Sequence, residues 1–170
     1  EANRFGEQFA TVHLPTLSEI VELLQKWKQA TVFIEIKRSS LRRFGHPTVL
    51  QAVLQLIKPI LDQCVVISFD NKILAETRKE GVERIGWVLE DLTEQSFKEA
   101  KELAPDYLFC DEELVTPSLW PGDWFWVVYE VNDPEQALDL ASAGVELIET
   151  GNIKKMLQHP ILKLKSGKDD

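Results

Sequence analysis

The sequence predicts an α/β fold built on a single parallel sheet of six βα units. Three observations carry this. Six short apolar runs alternate with amphipathic stretches. No antiparallel hairpin signal joins any two of them. After the second run the strand centres recur about every 20 residues, the length of a compact βα unit. A doubly wound sheet meets this pattern, but no Gly-rich phosphate loop follows any run, which weakens its nucleotide-binding version. The alternative is a TIM-type (β/α) barrel, normally about 250 residues with eight units. At 170 residues it would be incomplete, with about six of the eight βα units present.

The runs are Thr31–Lys37, Cys64–Phe69, Arg84–Leu89, Asp106–Cys110, Phe125–Glu130 and Val145–Thr150. Each is short, rich in β-branched or aromatic residues and bounded by turn formers, as expected of strands buried on both faces. Helices are expected between them. Thr16-Leu17-Ser18-Glu19 is a capping box opening a helix through about Trp27. Pro47 suits a first helical position ahead of Val49–Leu61. Asp91 with Glu94 starts another helix, and Asp133-Pro134-Glu135-Gln136 starts one ending near Gly144, a left-handed C-cap. Residues 1–162 read as one domain, and 163–170 as a polar tail.

The bulk numbers narrow the function. Hydrophobic residues make up 44% and charged residues 28%, the profile of a folded globular chain. The formal charge of −9 argues against non-specific nucleic-acid binding and against anionic membranes, so an anionic ligand needs a local positive group. No apolar run approaches the roughly 20 residues of a membrane span. The opening Glu1-Ala2-Asn3-Arg4 shows no signal peptide, and without an initiator Met it reads as trimmed. Cys64 and Cys110 sit in apolar runs and read as buried free thiols, pointing to a reducing, cytoplasmic setting.

Side chains alternate across a strand. In Thr31–Lys37, Val32, Ile34 and Ile36 therefore face the helices, while Phe33, Glu35 and Lys37 face a barrel interior. Two opposite charges there are costly unless used, and strand C-terminal ends form the active site of this fold. An ion pair that only fixes register is the competing reading. Tyr129, at the end of its strand, is a candidate for lining the pocket. Trp87, Trp120, Trp124 and Trp126 read as packing, with Trp124 and Trp126 on one strand face and Phe125 on the other. His13 and His159 read as surface residues. His46 follows the Glu35 strand on the mouth side, where it suits either a site or the start of a helix.

Several stretches together resemble the glycerophosphodiester phosphodiesterase family. They are Leu14-Pro15-Thr16-Leu17-Ser18-Glu19, Phe33-Ile34-Glu35-Ile36-Lys37, Ile67-Ser68-Phe69-Asp70, Tyr129-Glu130-Val131-Asn132 and Gly144–Thr150. The family shows Pro-Thr-Leu-x-Glu, Ile-Glu-x-Lys, Ser-Phe-Asp, Trp-Thr-Val-Asn and Gly-Val-Asp-x-Ile-x-Thr-Asp in this order. Here Tyr129 replaces Trp, and Gly151 stands where Asp is usual. The likeness runs from about Phe5 to Leu157. The resemblance implies a (β/α) barrel that hydrolyses glycerophosphodiesters to an alcohol and sn-glycerol 3-phosphate. It implies Glu35 as a ligand of Mg²⁺ or Ca²⁺ and Lys37 as a phosphate contact. Ser68, Phe69 and Tyr129 would line the substrate.

The sequence also departs from the family. The His-Arg-Gly, Pro-Glu-Asn-Thr, Glu-x-Asp and His-Asp motifs should precede the Pro-Thr-Leu helix, yet only 14 residues precede Pro15 and none of these motifs is among them. The general acid/base histidines and two carboxylate ligands are thus missing, and these 170 residues alone are expected to be inactive. A non-catalytic remnant that binds a phosphorylated ligand or assembles is the other reading. Six strands of a barrel leave two open edges, which favours self-association or pairing with the missing N-terminal segment.

Overall fold

Six parallel strands form one sheet in strict sequence order. They are β1 (Val32–Glu35), β2 (Cys64–Ser68), β3 (Ile85–Val88), β4 (Tyr107–Asp111), β5 (Phe125–Tyr129) and β6 (Leu147–Ile148). A doubly wound sheet reverses its strand order at a switch point. This one does not, so the barrel alternative holds. The structure, a computed structural model, describes residues 6–115 and 119–165. The opening tetrapeptide and residues 166–170 of the expected tail lie outside the described residues.

The sheet curls into a half-barrel. Phe33 on β1 meets Tyr107 and Phe109 on β4, ring centroids 5.1 and 5.4 Å apart, edge to face. In a flat sheet β1 and β4 would lie roughly 14 Å apart, three strand spacings. Curling packs Phe33, Val65, Ile67, Val88, Phe109 and Val127 into an inner cluster. The alternate residues, among them Ile34, Val66, Ile85, Leu108 and Val128, face outward into a larger core shared with the helices. Gly86 falls on the inner face, where a Cβ would lie 2.9 Å from both Ile67 Cγ2 and Phe109 Cε2. The inner layer closes over β3 because that position carries no side chain.

Helix α1 (Leu17–Leu24) starts at the expected capping box: Glu19 N donates to Thr16 Oγ1, and Thr16 N donates to Glu19 Oε2. Helix α2 (Arg38–Phe44) follows β1 directly and was not expected. Gly45, at φ 80°, separates it from α3 (His46–Ile57), which carries Pro47 in its first turn and continues as a 3₁₀ segment, Lys58–Gln63. Helix α4 (Asn71–Lys79) is also additional; its N-cap is Asp70, whose Oδ1 accepts from Lys72 N and Ile73 N. Helix α5 (Glu94–Leu103) begins at Thr93, which Asp91 supports through Oδ1. Helix α6 (Pro134–Ser142) ends ahead of Gly144 at φ 97°, in the left-handed region as expected.

Helices α7 (Ile153–Gln158) and α8 (Pro160–Lys165) close the described chain, so Lys163 belongs to a helix rather than to a tail. Arg78 fastens the end of α5 to the sheet: it donates to the carbonyls of Leu103 and Ala104 at 2.9 and 2.8 Å and to Asp106 Oδ2 at 3.0 Å. Both cysteines are free and buried, and burial pushes the Cys64 thiol up to about 11 and Cys110 to about 12. No helix among the described residues is long and apolar enough to cross a membrane.

Candidate functional site

Inward-facing residues near the strand C-termini enclose a cavity of about 200 Å³. Every strand contributes to its wall. Glu35 and Lys37 come from the end of β1, Ile67 and Phe69 from β2, Val88 from β3 and Phe109 from β4. Tyr129 and Glu130 come from the end of β5, and Glu149 follows β6. This placement is dictated by the pleat: Phe33 and Glu35 share a face, so once Phe33 packs inside, Glu35 must follow it. Lys37, two residues on, stands at the rim as expected.

Lys37 Nζ lies 2.6 Å from Glu35 Oε2. The pair is half-solvated, with the Lys37 side chain 63% and the Glu35 side chain 26% exposed. The second carboxylate oxygen, Glu35 Oε1, is buried and accepts no hydrogen bond. A carboxylate oxygen left so is a ready ligand for a hard cation. Yet Mg²⁺ and Ca²⁺ each need about six or more oxygen ligands. No group of three His, Cys, Asp or Glu among the described residues could hold a metal. The residues present therefore fit one ligand position and not a whole metal site.

Tyr129 holds its phenol proton firmly. Burial first, then the neighbouring charges of Asp111, Glu130 and Glu149 among others, push its pKa up to about 12. It enters any reaction near neutral pH as a neutral hydrogen-bond donor. Glu130 adopts φ 65°, a left-handed conformation that few non-glycine residues hold. Asn132 steadies this turn: its Nδ2 donates to Glu130 O at 2.9 Å, and its Oδ1 accepts from Gly151 N at 3.0 Å. One side chain thus ties the loop after β5 to the loop after β6.

Ser68 is not part of the wall. It faces outward, fully buried, donating to Ile36 O at 2.7 Å and accepting from Asp70 N at 3.0 Å. The reason is strand alternation: Ser68 and Phe69 are neighbours, so only one can face the cavity. Sequence reasoning named Glu35, Lys37, Phe69 and Tyr129, which the fold brings together. It missed Glu130 and Glu149, although each sits beside a strand end within a quoted motif.

The three histidines lie away from the cavity wall. His46 starts α3, with Nδ1 3.3 Å from Glu76 Oε2 and Nε2 3.8 Å from Asp70 Oδ2. His13 lies 3.6 Å from Glu19, and His159 lies 3.0 Å from Glu135. The tryptophans pack. Trp126 is buried and donates through Nε1 to Trp120 O at 3.1 Å, and Phe97 of α5 meets Trp120 and Trp124 at 5.2 and 6.4 Å. Trp124 precedes β5 rather than lying in it, yet packs on the same outer core as Trp126.

No protein-family model and no curated protein matches the sequence. Solved structures do match in fold. A protein named as a glycerophosphoryl diester phosphodiesterase from Silicibacter pomeroyi superposes with a TM-score of 0.76 at 19% identity, over 91% of this chain and 58% of that one. An Oleispira antarctica phosphodiesterase in complex with the product sn-glycerol-3-phosphate gives 0.72 at 15% identity, over 89% and 63%. A glycerophosphodiester phosphodiesterase from Parabacteroides distasonis gives 0.71 at 18% identity, over 90% and 66%. The chain thus spans about three fifths of the length of these structures. In fold, this chain resembles the glycerophosphodiester phosphodiesterases over six consecutive βα units of an incomplete TIM-type barrel.

Proposed function

We propose that this chain forms the diester-binding wall of a glycerophosphodiester phosphodiesterase, the complete protein hydrolysing glycerophosphodiesters to an alcohol and sn-glycerol 3-phosphate. The observation that carries the reading is the Glu35–Lys37 pair at the rim of a cavity at the strand C-termini. Among the described residues, Lys37 is the one cation that lines the cavity, in a chain whose net charge is −9. An anionic phosphodiester entering there meets its ammonium first, as a mobile point charge suited to phosphate. A fold neighbour in complex with sn-glycerol-3-phosphate supports a glycerol phosphate as the ligand class. Glu35 orients Lys37 through one oxygen and would offer the other as one ligand of a divalent cation, Mg²⁺ or Ca²⁺. Such a cation, when bound, would polarise a phosphoryl oxygen of the diester as a Lewis acid.

A second reading is a module that binds a phosphorylated ligand without turning it over. Two observations favour it. No three metal-ligating groups come together, and no histidine lines the cavity, among the described residues. One assay separates the readings. Incubate this chain with glycerophosphocholine and either Mg²⁺ or Ca²⁺, and repeat with EDTA. Saturable binding without turnover supports the binding wall alone. Turnover that EDTA abolishes shows that these residues complete a site unaided. If glycerophosphocholine and sn-glycerol 3-phosphate both fail to bind, the proposed site is wrong.

A further inference from the structure

We infer that Arg38 is a positioning residue for the anion-binding wall: it sets Phe69 against the cavity and fixes the turn that presents Lys37, without touching the ligand itself. The inference rests on the diester reading above and assigns that site a residue outside its lining. Neither Arg38 nor its partner Glu90 lines the cavity. Arg38 Nη2 donates to Phe69 O at 2.7 Å, and Arg38 Nη1 lies 2.7 Å from Glu90 Oε1. The guanidinium carbon stands 5.7 Å from the centroid of the Phe69 ring. One planar fork thus joins the segments that follow β1, β2 and β3.

The backbone explains why a side chain is needed here. In a parallel ladder, alternate residues of one strand donate to alternate carbonyls of the next. Ile36 N donates to Ile67 O at 2.8 Å. The next rung would run from Arg38 N to Phe69 O. The chain turns first: Lys37 is the N-cap of α2, and its carbonyl accepts from Ser40 N at 3.0 Å. The guanidinium takes the place of the lost rung, and Trp87 Nε1 supplies a second donor to the same carbonyl at 3.3 Å. Packing alone does not fix Phe69. Phe69 and Val88 also line a second hollow of about 220 Å³, whose wall includes Arg38, Trp87 and Glu90. Phe69 therefore borders space on two sides, and the Arg38 fork decides which side it closes. With Phe69 displaced, the cavity would open to the second hollow, and the water admitted would weaken the attraction of Lys37 for a phosphate.

The test is an NMR titration of the full chain with sn-glycerol 3-phosphate, set beside Arg38→Gln, Arg38→Lys and Glu90→Gln. Arg38→Gln is expected to bind about tenfold more weakly, the loss of a hydrogen bond from a charged donor. Arg38→Lys is expected to stay within about threefold of Arg38→Gln, because an ammonium keeps the charge but cannot reproduce the fork. Glu90→Gln is expected to weaken binding about threefold, since it loosens the fork. That last sign is decisive. Removing a carboxylate from a chain of net charge −9 would tighten an anion if charge alone mattered. Full recovery of affinity in Arg38→Lys overturns the inference in favour of simple attraction. Tighter binding by Glu90→Gln overturns it in favour of Arg38 as a direct phosphate contact. Unchanged affinity in Arg38→Gln overturns it while leaving the diester site standing. Should Arg38→Gln lose its folded spectrum, the sign measured in Glu90→Gln decides alone. If the unmodified chain shows no saturable shift, the diester reading fails and takes the inference with it.

Discussion

Lys37 Nζ sits 2.6 Å from one oxygen of Glu35, while the other oxygen of the same carboxylate is buried without a hydrogen-bond donor. Leaving a buried acceptor unpaired costs on the order of 1–3 kcal/mol. The arrangement accounts for that cost if a positively charged visitor completes it. One free oxygen is a poor cation site by itself, however. Calorimetric titration of this chain with Ca²⁺ or Mg²⁺ is therefore expected to show no saturation below about 1 mM. Micromolar binding would mean that Glu35 has further ligands beside it.

The inner layer makes a packing prediction. Gly86 lies between Ile67 and Phe109, where a methyl group would approach both to 2.9 Å. Gly86→Ala is expected to lower stability by about 1–3 kcal/mol, as overpacked cores do. Denaturant unfolding followed by tryptophan fluorescence measures this. An unchanged midpoint would mean that the curled inner layer is looser than described.

Much of this layer was legible in the sequence. The alternation in Thr31–Lys37 placed Phe33 and Glu35 inside and Ile34 outside, and the even spacing of the runs yielded six parallel strands. The barrel's curl was not legible, because it rests on the long-range contact of Phe33 with Tyr107 and Phe109. Helix α2 escaped because Arg38–Phe44 carries little apolar periodicity, with only Leu41 buried. Ser68 was drawn toward the cavity by its motif, although strand alternation alone would have turned it outward. Glu130 and Glu149 were passed over because a carboxylate at a strand end looks solvated until its neighbours are known.

Tyr129 carries a pH prediction. Burial and adjacent carboxylates push its pKa up to about 12, above the usual value near 10. The folded state then keeps the phenol proton longer than the unfolded chain does. Its contribution to stability is full below pH ~10 and is lost as pH rises toward ~12. Phenolate absorbance during alkaline titration should show Tyr129 ionising late, with Tyr129→Phe removing that step. Ionisation at the ordinary value would place Tyr129 in water rather than in the cavity wall.

Backbone strain at Glu130 carries a stability prediction. A non-glycine residue in the left-handed region costs roughly 1–2 kcal/mol, and glycine gives back part of that gain through unfolded-chain entropy. Glu130→Gly should leave stability unchanged or raise it by up to about 1 kcal/mol. Thermal unfolding measures this. A clear loss of stability would show that the Glu130 side chain supports the fold.

The central claim is that the Glu35–Lys37 rim binds a phosphate ester. Its most direct test is an NMR titration of the full chain with sn-glycerol 3-phosphate, set beside the same titration of Lys37→Ala. The account predicts saturable shifts at residues of the cavity wall, Phe69 and Tyr129 among them, and their loss in the variant with the fold intact. No saturable shift in the unmodified chain, or the same affinity in Lys37→Ala, would contradict it.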